Sequence, residues 1–190
     1  MNTRGDRSLR SESRTSRGRT GTKARSARPD SPLAGVRVLL VEDYAVVREV
    51  IDRLLVGFGA RVTAVAGVRE ALEALPRARP NVLVSDIDMP GEDGYALIRK
   101  IRALPPDQGG QTPAIGLTGW NTAEDQARVL WAGFQYWLTK PVDARRLVTV
   151  VAAAAASAAR RSTRAVLASR APNKPAEPLN GLAQEKPEGA

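Results

Sequence analysis

Neither cysteine nor histidine occurs among the 190 residues. Disulfides, thiolate metal sites and thiol nucleophiles are thereby excluded, and so is imidazole as a base, a metal ligand or a phosphate carrier. A cysteine-free chain suits a reducing compartment, and a cytoplasmic setting is expected. Aromatic residues are scarce, with three Trp, three Tyr and two Phe. None of them falls in the first 32 residues, so that segment offers nothing to stack on bases. The longest nearly apolar run, residues 147–159, is too short and too alanine-rich to span a bilayer, and no membrane partner is expected. Internal repeats are also lacking.

The net charge of +9 is unevenly spread. Residues 1–32 hold nine Lys/Arg against three Asp/Glu, residues 33–156 hold 14 against 14, and residues 157–190 hold six against three. The excess lies in the ends and the middle is neutral, which is not the distribution of a folded surface that reads DNA. The first segment is almost entirely Arg, Ser, Thr and Gly; it buries too little apolar surface to offset its ordering entropy and reads as a disordered basic tail over 1–32. It has no apolar stretch of the signal-peptide kind, and its Arg/Ser richness lacks the amphipathic pattern of a transit peptide. Residues 160–190 read as a flexible C-terminal tail, rich in Pro, Gly and Glu toward its end. One domain is expected between them, over 33–159.

Within that domain short β-branched runs alternate with helical periodicity. "VRVLLV" at 36–41 is a continuous apolar run of the kind buried on both faces. Val47, Ile51, Leu54, Leu55 and Phe58 follow at helical spacing, with Arg48, Glu49, Asp52 and Arg53 on the other side. A second strand is expected at 61–65 and a second helix ending near Pro76. "NVLVSD" supplies the third strand and Leu97, Ile98, Ile101 and Leu104 mark the third helix. "AIGLT" and "YWLT" are the fourth and fifth strands, the first followed by a helix from about Asn121 to Ala132, the second by one that starts at Asp143 and runs through the alanines. Five such units predict an α/β fold with a parallel sheet covered by helices on both faces; the expected form is the flavodoxin-like, doubly wound, five-stranded sheet, whose strand order is 2-1-3-4-5.

In such a sheet, sites form beyond the carboxyl ends of the strands. The first strand ends in Glu42-Asp43 and the third in Asp86, and in this order the two strands are neighbours. Three like charges at one rim repel, and a divalent cation with oxygen ligands relieves them; Mg²⁺ fits best, because it keeps several waters and needs few carboxylates. The fourth strand delivers the hydroxyl of Thr118 and the fifth delivers Lys140, a compact charge suited to phosphate. Taken singly, an acid at a strand end marks a cap, and a lone Thr or Lys marks solvated surface. Together, four strand ends serve one metal and phosphate chemistry.

The segments "LLVEDYAVVRE", "VLVSDIDMPGEDGY", "AIGLT" and "YWLTKPVD", in this order and spacing, resemble the receiver domain of two-component response regulators over about residues 36–156. The resemblance implies that Asp86 is the phosphoacceptor. It implies that Asp43 coordinates Mg²⁺ directly, Glu42 acts largely through water and the Asp88 backbone carbonyl completes the protein ligands. Thr118 and Lys140 would contact the phosphoryl oxygens, and Lys140-Pro141 would be a cis peptide. Thr118 and Trp137, where Tyr or Phe is more usual, would form the switch, the alternative being a Trp137 packed permanently under the last helix; Trp120 would either shield the phosphoryl group or stand as a surface residue on its loop, and Gly119, where Ala is frequent, would loosen that loop. The module would be a phosphoacceptor and not an enzyme in the ordinary sense, beyond slow self-catalysed phosphorylation and dephosphorylation.

With no histidine of its own, the chain needs a phosphohistidine partner: a sensor histidine kinase or a histidine phosphotransfer protein. No recognisable output motif follows the receiver. A stand-alone receiver is expected, switching contacts with a downstream protein through its fourth helix, fifth strand and fifth helix. The basic first segment allows a weak, salt-sensitive contact with nucleic acid or an acidic partner. Two other readings stay open. The Asp-x-Asp of "DIDMP" resembles haloacid-dehalogenase-like phosphatases, although there the motif closes the first strand of the core. A receiver-like adaptor that works without phosphorylation is the other.

Overall fold

The structure, a computed structural model, describes residues 31–119 and 122–170. Most of the expected basic tail, Trp120, and the expected C-terminal tail beyond residue 170 lie outside the described residues. The described residues open with a turn in which Ala34 N–H donates to Ser31 O at 2.9 Å, so the boundary expected at 32/33 falls inside it.

Five strands follow in the order β1 (Arg37–Val41), β2 (Arg61–Val65), β3 (Val82–Asp86), β4 (Ala114–Thr118) and β5 (Tyr136–Thr139). They pair in parallel as β2-β1-β3-β4-β5. The helices are α1 (Ala45–Gly57), α2 (Val68–Ala78), α3 (Gly94–Arg102), α4 (Ala123–Ala132) and α5 (Ala144–Arg170), with a short 3₁₀ turn at Pro106–Gln108. β3 and β4 are buried at every position, which is why their sequences read as unbroken apolar runs, whereas the edge strand β2 is half exposed.

Side chains alternate across the sheet and build two cores. Val38, Leu40, Val82, Val84, Ile115 and Leu117 pack under α1 and α5 with Ile51, Leu55, Leu147 and Val151. Leu39, Val41, Leu83 and Ala114 pack on the other face with Ala71 and Leu75 of α2, Leu97, Ile98 and Ile101 of α3 and Val129 of α4. Burying a side chain of this size stabilises by about 1.5–3 kcal/mol before ordering entropy is subtracted.

α2 ends near Pro76 as expected: the proline sits inside its last turn, and the helix closes two residues later at Ala78, capped by Arg79 in the left-handed region (φ 42°) with its N–H donating to Leu75 O. One boundary differs from expectation: in place of a flexible tail from residue 160, α5 continues to Arg170. No Gly or Pro occurs between Ala144 and Arg170 to stop it, and Pro172 is the first helix breaker after its start. Among the described residues no helix is long and apolar enough to cross a membrane.

Candidate functional site

β1 and β3 are adjacent, with Val41 opposite Ser85, so the residues that follow them, Glu42-Asp43 and Asp86, emerge side by side. Glu42, Asp43 and Asp86 each offer a carboxylate oxygen, and these oxygens lie within 4.8 Å of one another. Glu42 and Asp86 are almost fully buried, at 1 % and 3 % exposure. Lys140, directly after β5, reaches across the rim: its Nζ stands 2.8 Å from Asp86 Oδ2 and 3.0 Å from Glu42 Oε2. One ammonium therefore bridges acids from two strands. The Lys140-Pro141 peptide is cis, and Lys140 N–H donates to Thr118 O at 2.8 Å, tying the ends of β4 and β5 together.

These partners account for the electrostatics. Burial pushes the Glu42 carboxyl above its ordinary 4.5; the Lys140 hydrogen bond opposes that rise and the Asp86 charge adds to it. Burial alone would lower the Lys140 ammonium, but the hydrogen bonds to Asp86 and Glu42 outweigh it and hold the group above 10.5, so it is a cation throughout the neutral range. A buried charge cluster of this kind is sustained by mutual pairing, and removing one member leaves the others uncompensated.

The remaining expected site residues are placed as follows. Thr118 is buried at the end of β4, one step beyond Leu117, which lies opposite Asp86. Asp88 is exposed; its N–H donates to Asp86 Oδ1 at 3.2 Å, and its carboxylate accepts from Gly119 N–H at 3.5 Å. Trp137 lies opposite Gly116 and packs, partly buried, against the α2–α4 core. Sequence reading missed three supports. Ser85 Oγ donates to the carbonyl of Asp86 at 2.7 Å. Gly94 opens α3 so close to β3 that a Cβ there would stand 2.4 Å from Asp86 O. Arg48, taken as solvent-facing, turns back to donate to the carbonyls of Glu42 and Asp43; an arginine one helical turn after a strand end was the available signal.

The donor set suits a hard divalent cation: three carboxylates, all oxygen, at a partly open rim. Among the described residues no group hydrogen-bonds the carboxylate of Asp43, which leaves its oxygens facing the cluster without a protein partner. That is the arrangement expected of a ligand to Mg²⁺, an ion that retains much of its water.

This fold and rim define a class. A family model of the response regulator receiver domain matches residues 38–152, and the chain belongs to that family. The chain is 41 % identical over 119 residues to an uncharacterized 14.6 kDa protein of Leptolyngbya boryana, covering 63 % of this chain and 89 % of that protein. It is 35 % identical over 123 residues to the Regulator of RpoS of Escherichia coli K12, covering 64 % of this chain but only 35 % of that protein. Among solved structures, the receiver domain of a sensor histidine kinase from Pseudomonas aeruginosa PAO1 is 34 % identical with a TM-score of 0.58, covering 65 % of this chain and 99 % of that one; it carries a magnesium ion coordinated in the active-site cleft. The family is a signalling module and not a conventional enzyme, and its fold is the one found here.

Proposed function

We propose that this chain accepts a phosphoryl group on Asp86 from a phosphohistidine and uses it to switch contacts with another protein. The observation that carries the reading is the bridge from Lys140 to two buried carboxylates, 2.8 Å to Asp86 and 3.0 Å to Glu42, with Asp43 beside them. A carboxylate oxygen of Asp86 forms the new bond to phosphorus as the bond from phosphorus to the donor's imidazole nitrogen breaks, and the departing imidazole keeps the electron pair. Mg²⁺, held by Asp43, Asp86, the Asp88 carbonyl and, through water, Glu42, would supply charge neutralisation on the phosphoryl oxygens. Lys140 adds a fixed positive charge on the other side, and Asp88 N–H steadies the carboxylate. Water later attacks phosphorus, releasing inorganic phosphate and restoring the carboxylate.

The donor histidine lies outside these 190 residues, which contain none. A sensor histidine kinase or a histidine phosphotransfer protein fits that need. Thr118, buried at the end of β4, is the group for a phosphoryl oxygen to draw in, and Trp137, on the strand beside it, is the residue to fill the space behind it. A cytoplasmic setting follows from the kinase chemistry, and the basic first 32 residues are left to weak electrostatic contacts.

Incubation with acetyl phosphate and Mg²⁺, followed by intact mass and a phosphate-affinity gel, tests this. One acid-labile phosphoryl group is expected, lost in Asp86→Asn, strongly reduced in Lys140→Ala and retained in Asp88→Asn. Turnover of phosphomonoesters that Asp88→Asn abolishes would mark the protein as a phosphatase instead. No adduct in any condition, including with a phosphorylated phosphotransfer protein, would mark it as an adaptor.

A further inference from the structure

α1 begins without a side-chain cap: Tyr44 stands at the cap position in extended conformation and makes no capping hydrogen bond. The turn between β1 and α1 is held by Arg48. Its Nη1 donates to Glu42 O at 2.6 Å and to Asp43 O at 3.0 Å, while its own N–H donates to Tyr44 O at 2.9 Å. One residue is thus bound to three consecutive carbonyls. On the other side, Glu42 N–H donates to Val65 O at 3.2 Å. With the peptide planes after Glu42 and Asp43 fixed, each acid has only its own side-chain torsions left to search.

We infer that Arg48 is a positioning residue for the acidic rim: by holding the carbonyls of Glu42 and Asp43 toward α1 it sets where their carboxylates meet Asp86, and so how tightly the rim holds a divalent cation. The inference rests on the reading of the rim as a Mg²⁺ site. Arginine suits the task because one nitrogen of its cation satisfies both backbone carbonyls and takes up none of the three carboxylates; a lysine presents a rotatable point charge in place of a planar, fixed group. Outer groups that orient ligands commonly matter as much as 10- to 100-fold in metal affinity.

The test uses the full chain. Mg²⁺ uptake is followed by titration calorimetry at a temperature where circular dichroism shows each variant folded, and amide NMR is recorded in metal-free buffer. Arg48→Ala is expected to weaken Mg²⁺ by about tenfold or more, to shift the amides of Asp43 and Tyr44 without metal, and to be partly rescued in Arg48→Lys. Arg53→Ala removes the same charge from the same helix, but from a side chain bonded to exposed Glu49. It is expected to change neither quantity, which separates positioning from mere charge. Should Arg48→Ala fail to fold, Arg48→Lys carries the test. Wild-type affinity in both Arg48 variants, with uptake abolished by Asp43→Asn, overturns the inference alone. Uptake that survives Asp43→Asn overturns the metal reading beneath it as well.

Discussion

At the carboxyl ends of the strands the buried polar residues Glu42, Asp86 and Thr118 stand with Lys140 as a counter-charge, whereas at the amino ends Arg102 and Arg37 are occupied by neutral carbonyl oxygens. There Arg102 donates to Gly133 O, Gly110 O and Gln135 Oε1 at 2.8–3.0 Å, and Arg37 donates to Arg79 O at 2.7 Å. The two ends differ in how their charges are matched. Donors at the amino edge are matched to neutral acceptors and lock three loops; acids at the carboxyl edge outnumber their cation, which on the proposed reading leaves capacity for an ion and a phosphoryl group. Stability and chemistry are thereby separated by the length of the strands, and substitutions at the two ends should be separable too.

The sharpest contrast is between two glycines. A Cβ at Gly94 would stand 2.4 Å from Asp86 O and 2.8 Å from Ile87 Cα; one at Gly110 would stand 2.0 Å from Leu104 O. All three contacts are with backbone, so relief requires moving the chain. Gly94→Ala and Gly110→Ala are each expected to cost about 2–4 kcal/mol in denaturant unfolding. Only Gly94→Ala displaces the backbone of Asp86, and it alone should lower phosphoryl uptake per folded molecule. Equal uptake in the two variants would show that the ends are not independent.

Next in size is Arg102→Ala. Three acceptors on the α3–β4 and α4–β5 loops lose a half-buried cation, and a loss of about 2 kcal/mol is expected. Mg²⁺ affinity and the yield of aspartyl phosphate should stay at wild-type values. A fall in Mg²⁺ affinity while the variant remains folded would mean that the amino edge reaches the site through the strands.

These two cases also show what could be read from the sequence. The places of Asp86, Thr118 and Lys140 were legible because the first two close strands and the third directly follows one, and a strand end fixes a side chain's place once strand order is known. Five apolar runs alternating with helical periodicity pointed to a parallel sheet, and its order was the one expected of the flavodoxin-like form. Gly94, Gly110 and Arg48 were not legible for a common reason. A glycine's close approach and an arginine's carbonyl partners belong to tertiary geometry, whereas in the sequence Arg48 merely occupies the polar side of an amphipathic helix. The carboxylate of Asp88 is a similar case, because its link to Gly119 joins residues 31 positions apart. The end of α5 was misplaced because charge and polarity were taken as the boundary, although Arg, Ser and Ala continue a helix well when no Gly or Pro intervenes.

Acidity provides a third, smaller test, at the carboxyl edge alone. Burial raises the Glu42 carboxyl above 4.5, so over a window starting there the folded chain keeps a proton that the unfolded chain has released. Stability therefore falls as pH rises through that window. Lys140 has the opposite reference: held above 10.5, its contribution is complete below that pH and is lost only as pH rises past it. In chelator-treated buffer the thermal midpoint of the wild type should decline from pH 4.5 upward relative to Glu42→Gln, because the amide cannot ionise. Parallel curves for the two proteins would show that Glu42 bears no such burden.

The smallest expected effect concerns α4, which buries only Val129 against the sheet, compared with four residues for α3. A capping box between Thr122 and Asp125 starts the helix, and the Arg128 guanidinium lies 5.1 Å from the centre of the Tyr95 ring on α3. With so little apolar anchorage, that cation–π contact is a sizeable part of what ties α4 to its neighbour. At a partly exposed position it stabilises by about 0.5–1 kcal/mol. Arg128→Gln should cost about that much in global unfolding, yet accelerate amide exchange in α4 more than in α3, since a weakly held helix opens locally before the domain unfolds. Equal acceleration in both helices would mean that α4 opens only with the whole domain, and that the phosphoryl group proposed for Asp86 would have to work against the entire core to move it.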